Sequence, residues 1–189
     1  MTERELLIDC LQRLNRAGVA YMLTGSMASN HWGIPRTTRD LDFVVQLSAA
    51  AVAILVEAFG SDYELDKQMV RSAFQPPYQF NAIDRRSALK IDFWLLRGDP
   101  FERTMFSRRL KTTLFGETAW IAAAEEIILH KLFGDKISPS DRQLRDVAGV
   151  VAVENEALDR AYLRHWASEL GVVAKLEEVL SGRFGPKTT

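Results

Sequence analysis

Two aspartates, Asp40 and Asp42, flank a single leucine at the start of the otherwise apolar segment 41–45. In a β-strand, residues i and i+2 project from the same face, so both carboxylates would point the same way. Two carboxylates this close repel each other unless a cation lies between them. Mg²⁺, which prefers oxygen ligands, is the cation that the pattern favours, although a chance pair of exposed acids at a strand end would need none.

A third aspartate, Asp92, interrupts another apolar run, and Lys90 precedes it by two residues on the same face of the expected strand. If this strand lies beside the first, three carboxylates meet at one edge of a sheet. Such a cluster could hold two metal ions that align an attacking oxygen, a phosphorus atom and a leaving group. We therefore expect metal ligands at Asp40, Asp42 and Asp92.

A short apolar strand upstream of the aspartates ends at Gly25, and Ser26 follows in the N-cap position of the next expected helix. A glycine lets a phosphate approach the backbone, and the helix expected to follow offers free N–H groups at its positive end. Metal ligands together with a phosphate-binding turn predict that the chain binds a nucleoside triphosphate. Arg36 and Arg39, in the intervening loop, could contact phosphates or neutralise the acidic cluster.

Strands and helices alternate around these residues before the chain becomes helical. Periodicity predicts a helix at 3–17 and, later, a helix at 48–59 that starts at Ser48. Strands are expected in VAYMLTG, LDFVVQL, YQFNAID and ALKIDFWLL, a helix in DPFERTMFSRRL, and a shorter β-like piece in KTTLFGETAWIA. From Ala123 onward the pattern is helical, so we expect a core at 1–121 and a helical C-terminal region at 122–189 packed on it.

The order of these motifs resembles that of a known superfamily. Gly25-Ser26, followed after thirteen residues by Asp40-Leu41-Asp42, is similar to the signature of the nucleotidyltransferases with the DNA polymerase β-like fold. The longer stretch 33–42, GIPRTTRDLD, resembles the AbiEii-type and related minimal nucleotidyltransferases of bacteria, a branch that includes toxins of toxin–antitoxin systems. The resemblance implies an α/β (α+β) fold, in which a small mixed sheet forms the nucleotidyltransferase core and helices flank it.

The resemblance also implies roles for single residues. It assigns metal binding to Asp40 and Asp42, with Asp92 as the third member of an aspartate triad. It assigns binding of the triphosphate to Gly25 and Ser26. Two further positions follow in the helical region. An active-site lysine, Lys131, lies in EEIILHKLFG, and a later acidic residue, Asp146, lies in DRQLRDV.

Helical periodicity bears on these last two residues independently. Lys131 lies in an apolar stripe with Ile127 and Ile128, so it either extends outward to solvent or meets a buried anion such as a triphosphate. Asp146 faces away from the apolar stripe of its own helix, and an ordinary surface acid would fit the pattern equally well.

Composition restricts the environment and partners of the chain. The formal net charge of −1 argues against a general nucleic-acid coat protein. The segment 85–111, however, carries 8 basic and 3 acidic side chains, which could meet a phosphate backbone or form a solvated helix face. One cysteine, Cys10, excludes a disulfide framework. With no apolar run long enough for a membrane helix and no signal peptide, we expect a cytoplasmic protein.

These features predict a Mg²⁺-dependent nucleotidyltransferase, with two metal ions and Mn²⁺ as an alternative metal. It would transfer a nucleoside monophosphate from an NTP to a hydroxyl group, such as that of a tRNA 3′ end. The resemblance further implies the toxin of a toxin–antitoxin pair. One alternative is an antitoxin that transfers AMP to a partner protein. Another is a non-catalytic nucleotide-binding module with the same fold.

The tryptophans, including Trp94, are expected in core or interface positions.

Overall fold

The computed structural model describes residues 1–185, which form nine α-helices and seven β-strands. The helices are α1 Glu3–Ala17, α2 Gly25–Trp32, α3 Val52–Phe59, α4 Lys67–Ser72, α5 Pro100–Ser107, α6 Ala124–Ile137, α7 Asp141–Glu154, α8 Arg160–Leu170 and α9 Val173–Leu180. The strands are β1 Ala20–Thr24, β2 Leu41–Gln46, β3 Tyr63–Glu64, β4 Gln79–Asp84, β5 Lys90–Leu95, β6 Leu110–Leu114 and β7 Glu117–Ile121.

Capping residues explain where several of these helices begin and end. Thr2 and Glu5 form a capping box at the start of α1, and Gly18 ends the helix with a left-handed φ of 64°. Ser48 does accept a hydrogen bond from a backbone N–H, as expected for an N-cap. The turn that it caps is a short 3₁₀ segment, 49–51, that leads into α3.

All seven strands form one mixed sheet in the order β3-β4-β5-β2-β1-β7-β6. Strand β2 runs parallel to β5, and β1 runs parallel to β7, whereas the other neighbouring pairs are antiparallel. The α/β class with a mixed sheet and flanking helices, expected from the sequence, is confirmed. The β-like piece KTTLFGETAWIA is a hairpin formed by β6 and β7.

One face of the sheet buries an aromatic core. Phe93 of β5 stacks with Phe43 of β2 on one side and with Phe80 of β4 on the other. Phe59 from α3 packs edge-on against Phe93 with 5.7 Å between the ring centroids. Because strand side chains alternate between faces, the neighbouring positions of β2 and β5, including Asp42 and Asp92, lie on the opposite face.

Contacts divide the chain into two compact units. The first contains Met1–Thr24 and Thr38–Ile121, and therefore the whole sheet with α1, α3, α4 and α5. The second contains Gly25–Thr37 and the chain from Ala122 onward, and therefore α2 with the four C-terminal helices. None of the helices in residues 1–185 has the length and apolar character needed to cross a membrane.

The segment between α3 and β4 contains two elements that the sequence pattern did not predict. Strand β3 has only two residues, and α4 has six, capped by Asp66. Elements this short hold too few residues for a hydrophobic period to emerge, so their formation depends on the packing around them.

Candidate functional site

Two of the predicted metal ligands are neighbours in the sheet. In the parallel pairing of β2 with β5, Asp42 is the register partner of Asp92. Asp40 precedes β2 by one residue, and it is exposed, whereas Asp42 is partly buried. Asp92 is only 8% exposed. The acidic cluster of the first unit therefore combines a local pair with one aspartate from the adjacent strand.

A lysine shares this face with the acidic cluster. The Nζ atom of Lys90 lies 2.8 Å from Oδ2 of Asp92. The pKa of Lys90 is raised, first by the hydrogen bond to Asp92 and further by the negative charges of Asp40 and Asp42, although partial burial opposes this. The sequence placed Lys90 on the correct face, but its partner depends on side-chain positions.

The other oxygen of Asp92 faces strand β4. Asn81 is the register partner of Asp92 on that strand. With its amide oriented to donate, the nitrogen of Asn81 lies 2.7 Å from Oδ1 of Asp92. Asn81 was not singled out from the sequence, because only the pairing of β4 with β5 brings it to the cluster.

The chemistry of these donors fits a divalent cation. Carboxylate oxygens are the ligands that Mg²⁺ prefers, and the ammonium of Lys90 already places positive charge beside Asp92. Within residues 1–185, however, no three His, Cys, Asp or Glu side chains are gathered into a group that could hold a metal ion. Asp40, Asp42 and Asp92 thus have suitable oxygen donors, but their side chains do not form a preassembled metal cage.

A second cluster lies in the second unit, around Asp146 of α7. Arg36 donates from Nε to Oδ1 at 2.7 Å and from Nη2 to Oδ2 at 2.8 Å. Lys131 of α6 donates to Oδ2 at 2.8 Å. Only 6% of the Asp146 side chain is exposed. Burial acts to raise the pKa of Asp146, but hydrogen bonds from the two cations outweigh it and the pKa is lowered.

This cluster resolves alternatives that the sequence left open. Asp146 is not a surface acid, because its carboxylate is buried between two cations. Lys131 does not extend to solvent: its side chain is 10% exposed, and Asp146 is the buried anion that it meets. Arg36 likewise pairs with Asp146, whereas Arg39 is 83% exposed and comes within 3.8 Å of Glu3.

Ser26 joins the same cluster through Arg36. The Nη2 atom of Arg36 donates to Oγ of Ser26 at 2.8 Å. Asn30 fixes the backbone of Arg36 by donating to its carbonyl at 2.7 Å and accepting from its N–H at 3.1 Å. Gly25, the first residue of α2, has a φ of 62°, a left-handed conformation that favours glycine. The second unit therefore gathers Ser26, Lys131 and Asp146 into one hydrogen-bonded group.

The basic segment 85–111 uses much of its charge internally. Arg86 pairs with Asp84 and Asp9, and Arg97 pairs with Glu102. The Arg109 guanidinium lies over the rings of Phe106 and Trp120. Arg85, Arg103 and Lys111 are exposed as well.

Trp94 is one of the tryptophans expected in core or interface positions. It is 40% exposed, so it is not a core residue. It follows Asp92 by two residues in β5, so it lies on the same face of the sheet as the acidic cluster.

No protein-family model and no curated protein matches the chain, whereas solved structures do. The antibiotic-resistance factor ANT(2'')-Ia is 13% identical over 93% of this chain and 95% of its own, with a TM-score of 0.58. Its complex with adenylyl-2''-tobramycin gives 12% identity, coverages of 90% and 98%, and a TM-score of 0.60. An antigenic nucleotidyltransferase-like protein from Paracoccidioides brasiliensis is 14% identical over 98% of this chain and 94% of its own, with a TM-score of 0.56. The chain therefore shares the fold of these solved structures.

Proposed function

We propose that this chain is a Mg²⁺-dependent nucleotidyltransferase that acts on an NTP and a hydroxyl acceptor. The observation that supports this most directly is the pairing of Asp42 with Asp92, beside Asp40, in the sheet of a nucleotidyltransferase-like fold. Neighbouring carboxylates on one sheet face, such as those of Asp42 and Asp92, repel each other, and a non-catalytic binding module would have no evident need for them. That alternative is therefore the weaker one.

In the proposed reaction, the acceptor oxygen attacks the α-phosphorus of the NTP and the bond to the bridging oxygen breaks, so that pyrophosphate leaves. Asp40, Asp42 and Asp92 would hold Mg²⁺, or Mn²⁺ in its place. When bound, the metal would stabilise the charge that develops on the phosphate oxygens. Asp92 would also help to deprotonate the acceptor hydroxyl.

Residues of the second unit are proposed to bind the triphosphate. Gly25 and Ser26 would offer backbone N–H groups at the start of α2, and Lys131 would offer the N–H donors that Asp146 does not use. Asp146 would be a positioning residue, because it holds Arg36 and Lys131 through the hydrogen bonds described above. Arg36 would add a second cation to the same anion-binding group.

The acceptor and the biological context extend this proposal. A tRNA 3′ end remains our first choice, and a partner protein modified with AMP is the alternative. The motif order of residues 25–42 supports the AbiEii-type branch and, with it, a cytoplasmic toxin with a cognate antitoxin. An aminoglycoside is a further acceptor to test, because a similar fold has been solved with adenylyl-2''-tobramycin.

The decisive experiment incubates the protein with Mg²⁺, each labelled NTP, and total tRNA, cell extract or tobramycin. We expect label transfer that falls at least about 100-fold in Asp42→Asn, because a lost metal ligand removes stabilisation of the transition state. The matched control is Glu57→Gln, an exposed acid on α3. Failure to label any acceptor, combined with no Mg²⁺-dependent NTP binding, would refute the proposal.

The exposed cations of the basic segment separate the acceptors. The triple variant Arg85→Glu, Arg103→Glu and Lys111→Glu reverses charge without breaking the ion pairs of Arg86 and Arg97. If RNA is the acceptor, we expect its labelling to fall while the labelling of protein or tobramycin persists. A triple variant that labels tRNA as well as the wild type does would exclude a role for this segment in RNA binding.

A further inference from the structure

We propose that Lys90 is a built-in counter-ion that competes with the divalent metal for Asp92 and thereby couples metal binding to nucleotide binding. The inference rests on the proposed function, since it concerns the same metal ligands. It assigns a role to a residue that neither the resemblance nor the comparisons assign.

Both oxygens of Asp92 already face a donor. Oδ2 is 2.8 Å from Nζ of Lys90, and Oδ1 is 2.7 Å from the amide nitrogen of Asn81. The Asp92 side chain is 11% exposed, so little solvent-facing space is left around its carboxylate. A Mg²⁺ ion binds carboxylate oxygens at about 2.1 Å. At Oδ2 the metal and the Lys90 ammonium would place two positive charges on one oxygen, so metal ligation there competes with Lys90.

Lys90 is the donor that can leave. Its side chain is 48% exposed and carries its charge on a flexible four-carbon stem. Asn81, by contrast, has a short side chain on β4, and β4 is paired on both sides, with β3 and with β5. If Lys90 leaves, the protein loses only a partly solvated ion pair. Such a pair contributes less free energy than a buried pair does.

Charge explains why nucleotide would trigger this departure. Asp40 lies two residues before Asp42, Asp92 is the register partner of Asp42, and Lys90 forms an ion pair with Asp92. A metal that arrives alone must displace this cation without providing it with another partner. An NTP brings a triphosphate, an anion with which the released ammonium can pair. We therefore expect the metal to bind weakly alone and more tightly with nucleotide.

The test measures Mn²⁺ binding, by the electron paramagnetic resonance signal of the free ion, with and without a non-hydrolysable NTP analogue. Lys90→Met keeps most of the stem and removes the charge. We expect the variant without nucleotide to bind Mn²⁺ about 10-fold more tightly than the wild type, because one competing charge at close range is gone. The gain in Mn²⁺ affinity on adding the analogue should shrink correspondingly.

Two further variants distinguish competition from an effect of overall charge. Arg85→Met removes an exposed cation from the same segment and should leave Mn²⁺ affinity within about 2-fold of the wild type, because solvent and salt screen exposed charges. Lys90→Arg retains a cation and should restore weak binding. Circular dichroism spectra establish that each variant is folded, and Lys90→Gln replaces Lys90→Met if the latter fails to fold.

Equal or weaker Mn²⁺ binding by Lys90→Met, or no Mn²⁺ binding by either protein, would overturn the inference. An equal gain from Arg85→Met would also overturn it, since bulk charge would then explain the result. Because the measurement needs no catalysis, a protein that transfers no label but shows the affinity change would contradict the proposed reaction and support the role of Lys90.

Discussion

At the scale of single residues, Asp146 shows how one buried carboxylate organises several polar side chains. It accepts hydrogen bonds from Arg36 and Lys131, and Arg36 in turn donates to Ser26. Removing one partner of a buried ion pair costs more than the pair itself contributes, because it leaves uncompensated charge behind. The cluster is therefore sensitive to loss of the Asp146 carboxylate.

Replacement Asp146→Asn should lower the free energy of unfolding by about 3 kcal/mol at pH 7, because Arg36 and Lys131 lose their shared counter-ion. Because the folded pKa of Asp146 is lowered, its contribution is present above the unfolded pKa of about 3.9 and is lost as the pH falls through the folded value. Urea titrations from pH 7 to pH 3 should therefore show a shallower loss of stability in the variant.

The control for this prediction is Asp141→Asn, also in α7. The Asp141 side chain is 80% exposed and pairs with Arg145 at 3.4 Å. Exposed pairs of this kind contribute at most about 1 kcal/mol, so this variant should stay close to the wild type. If Asp146→Asn were as stable as Asp141→Asn at pH 7, the cluster would not have the energetic role inferred for it.

At the scale of elements, the contact of α2 with α7 brings two backbones unusually close. A Cβ atom at Gly33, directly after α2, would lie 2.7 Å from the N atom of Val150 and 2.9 Å from the carbonyl carbon of Gly149. A Cβ at Gly149 would approach the N atom of Ile34 to 3.2 Å. Both neighbours are backbone atoms, which cannot rotate away. These glycines therefore let the segment that carries Arg36 pack against the helix that carries Asp146.

Replacement Gly33→Ala should lower the free energy of unfolding by about 2 kcal/mol or more, because the added methyl group must push two backbone segments apart. The matched control is Gly98→Ala, where an added Cβ would meet nothing within 4 Å. The control should remain within about 1 kcal/mol of the wild type. Thermal and chemical unfolding of the two variants, measured side by side, gives the comparison. Equal stability would mean that the backbones of the two segments can move apart at little cost in free energy.

At the scale of the whole molecule, the chain passes between its two compact units three times, after residues 24, 37 and 121. One unit carries the acidic cluster and the other carries the group around Asp146. The similar solved structures cover at least 90% of this chain, so the likeness in fold extends over both units. If the proposed function is correct, ligand should stabilise the folded state.

Mg²⁺ with the preferred NTP should therefore raise the melting temperature. A ligand at about 100 times its Kd adds about 2.7 kcal/mol, which corresponds to about 5 to 10 °C for a chain of this size. Asp42→Asn should lose most of this shift, because a metal ligand is missing, whereas Glu57→Gln should keep it. A shift of the same size in Asp42→Asn would argue that nucleotide binds without the acidic cluster.

The sequence by itself determined the periodic elements and the chemistry of the local motifs. Alternation of side chains sets Asp40 and Asp42 on one face of a strand, and the same period puts Lys90 beside Asp92. These relations are fixed by backbone geometry over two residues, so they need no knowledge of the fold. The mixed α/β class followed from the resemblance that these motifs carried, and the structure confirms it.

Only the tertiary structure decided which of these residues meet. Asp42 and Asp92 are neighbours because β5 inserts between β4 and β2, and Arg36 reaches Asp146 across 110 positions in the sequence. Lys131 has a buried carboxylate as its partner, a pairing that its own helix could not reveal. Contacts between distant segments depend on strand order and on helix packing. Neither leaves a local pattern in the chain, because each is set by the free energy of the whole fold.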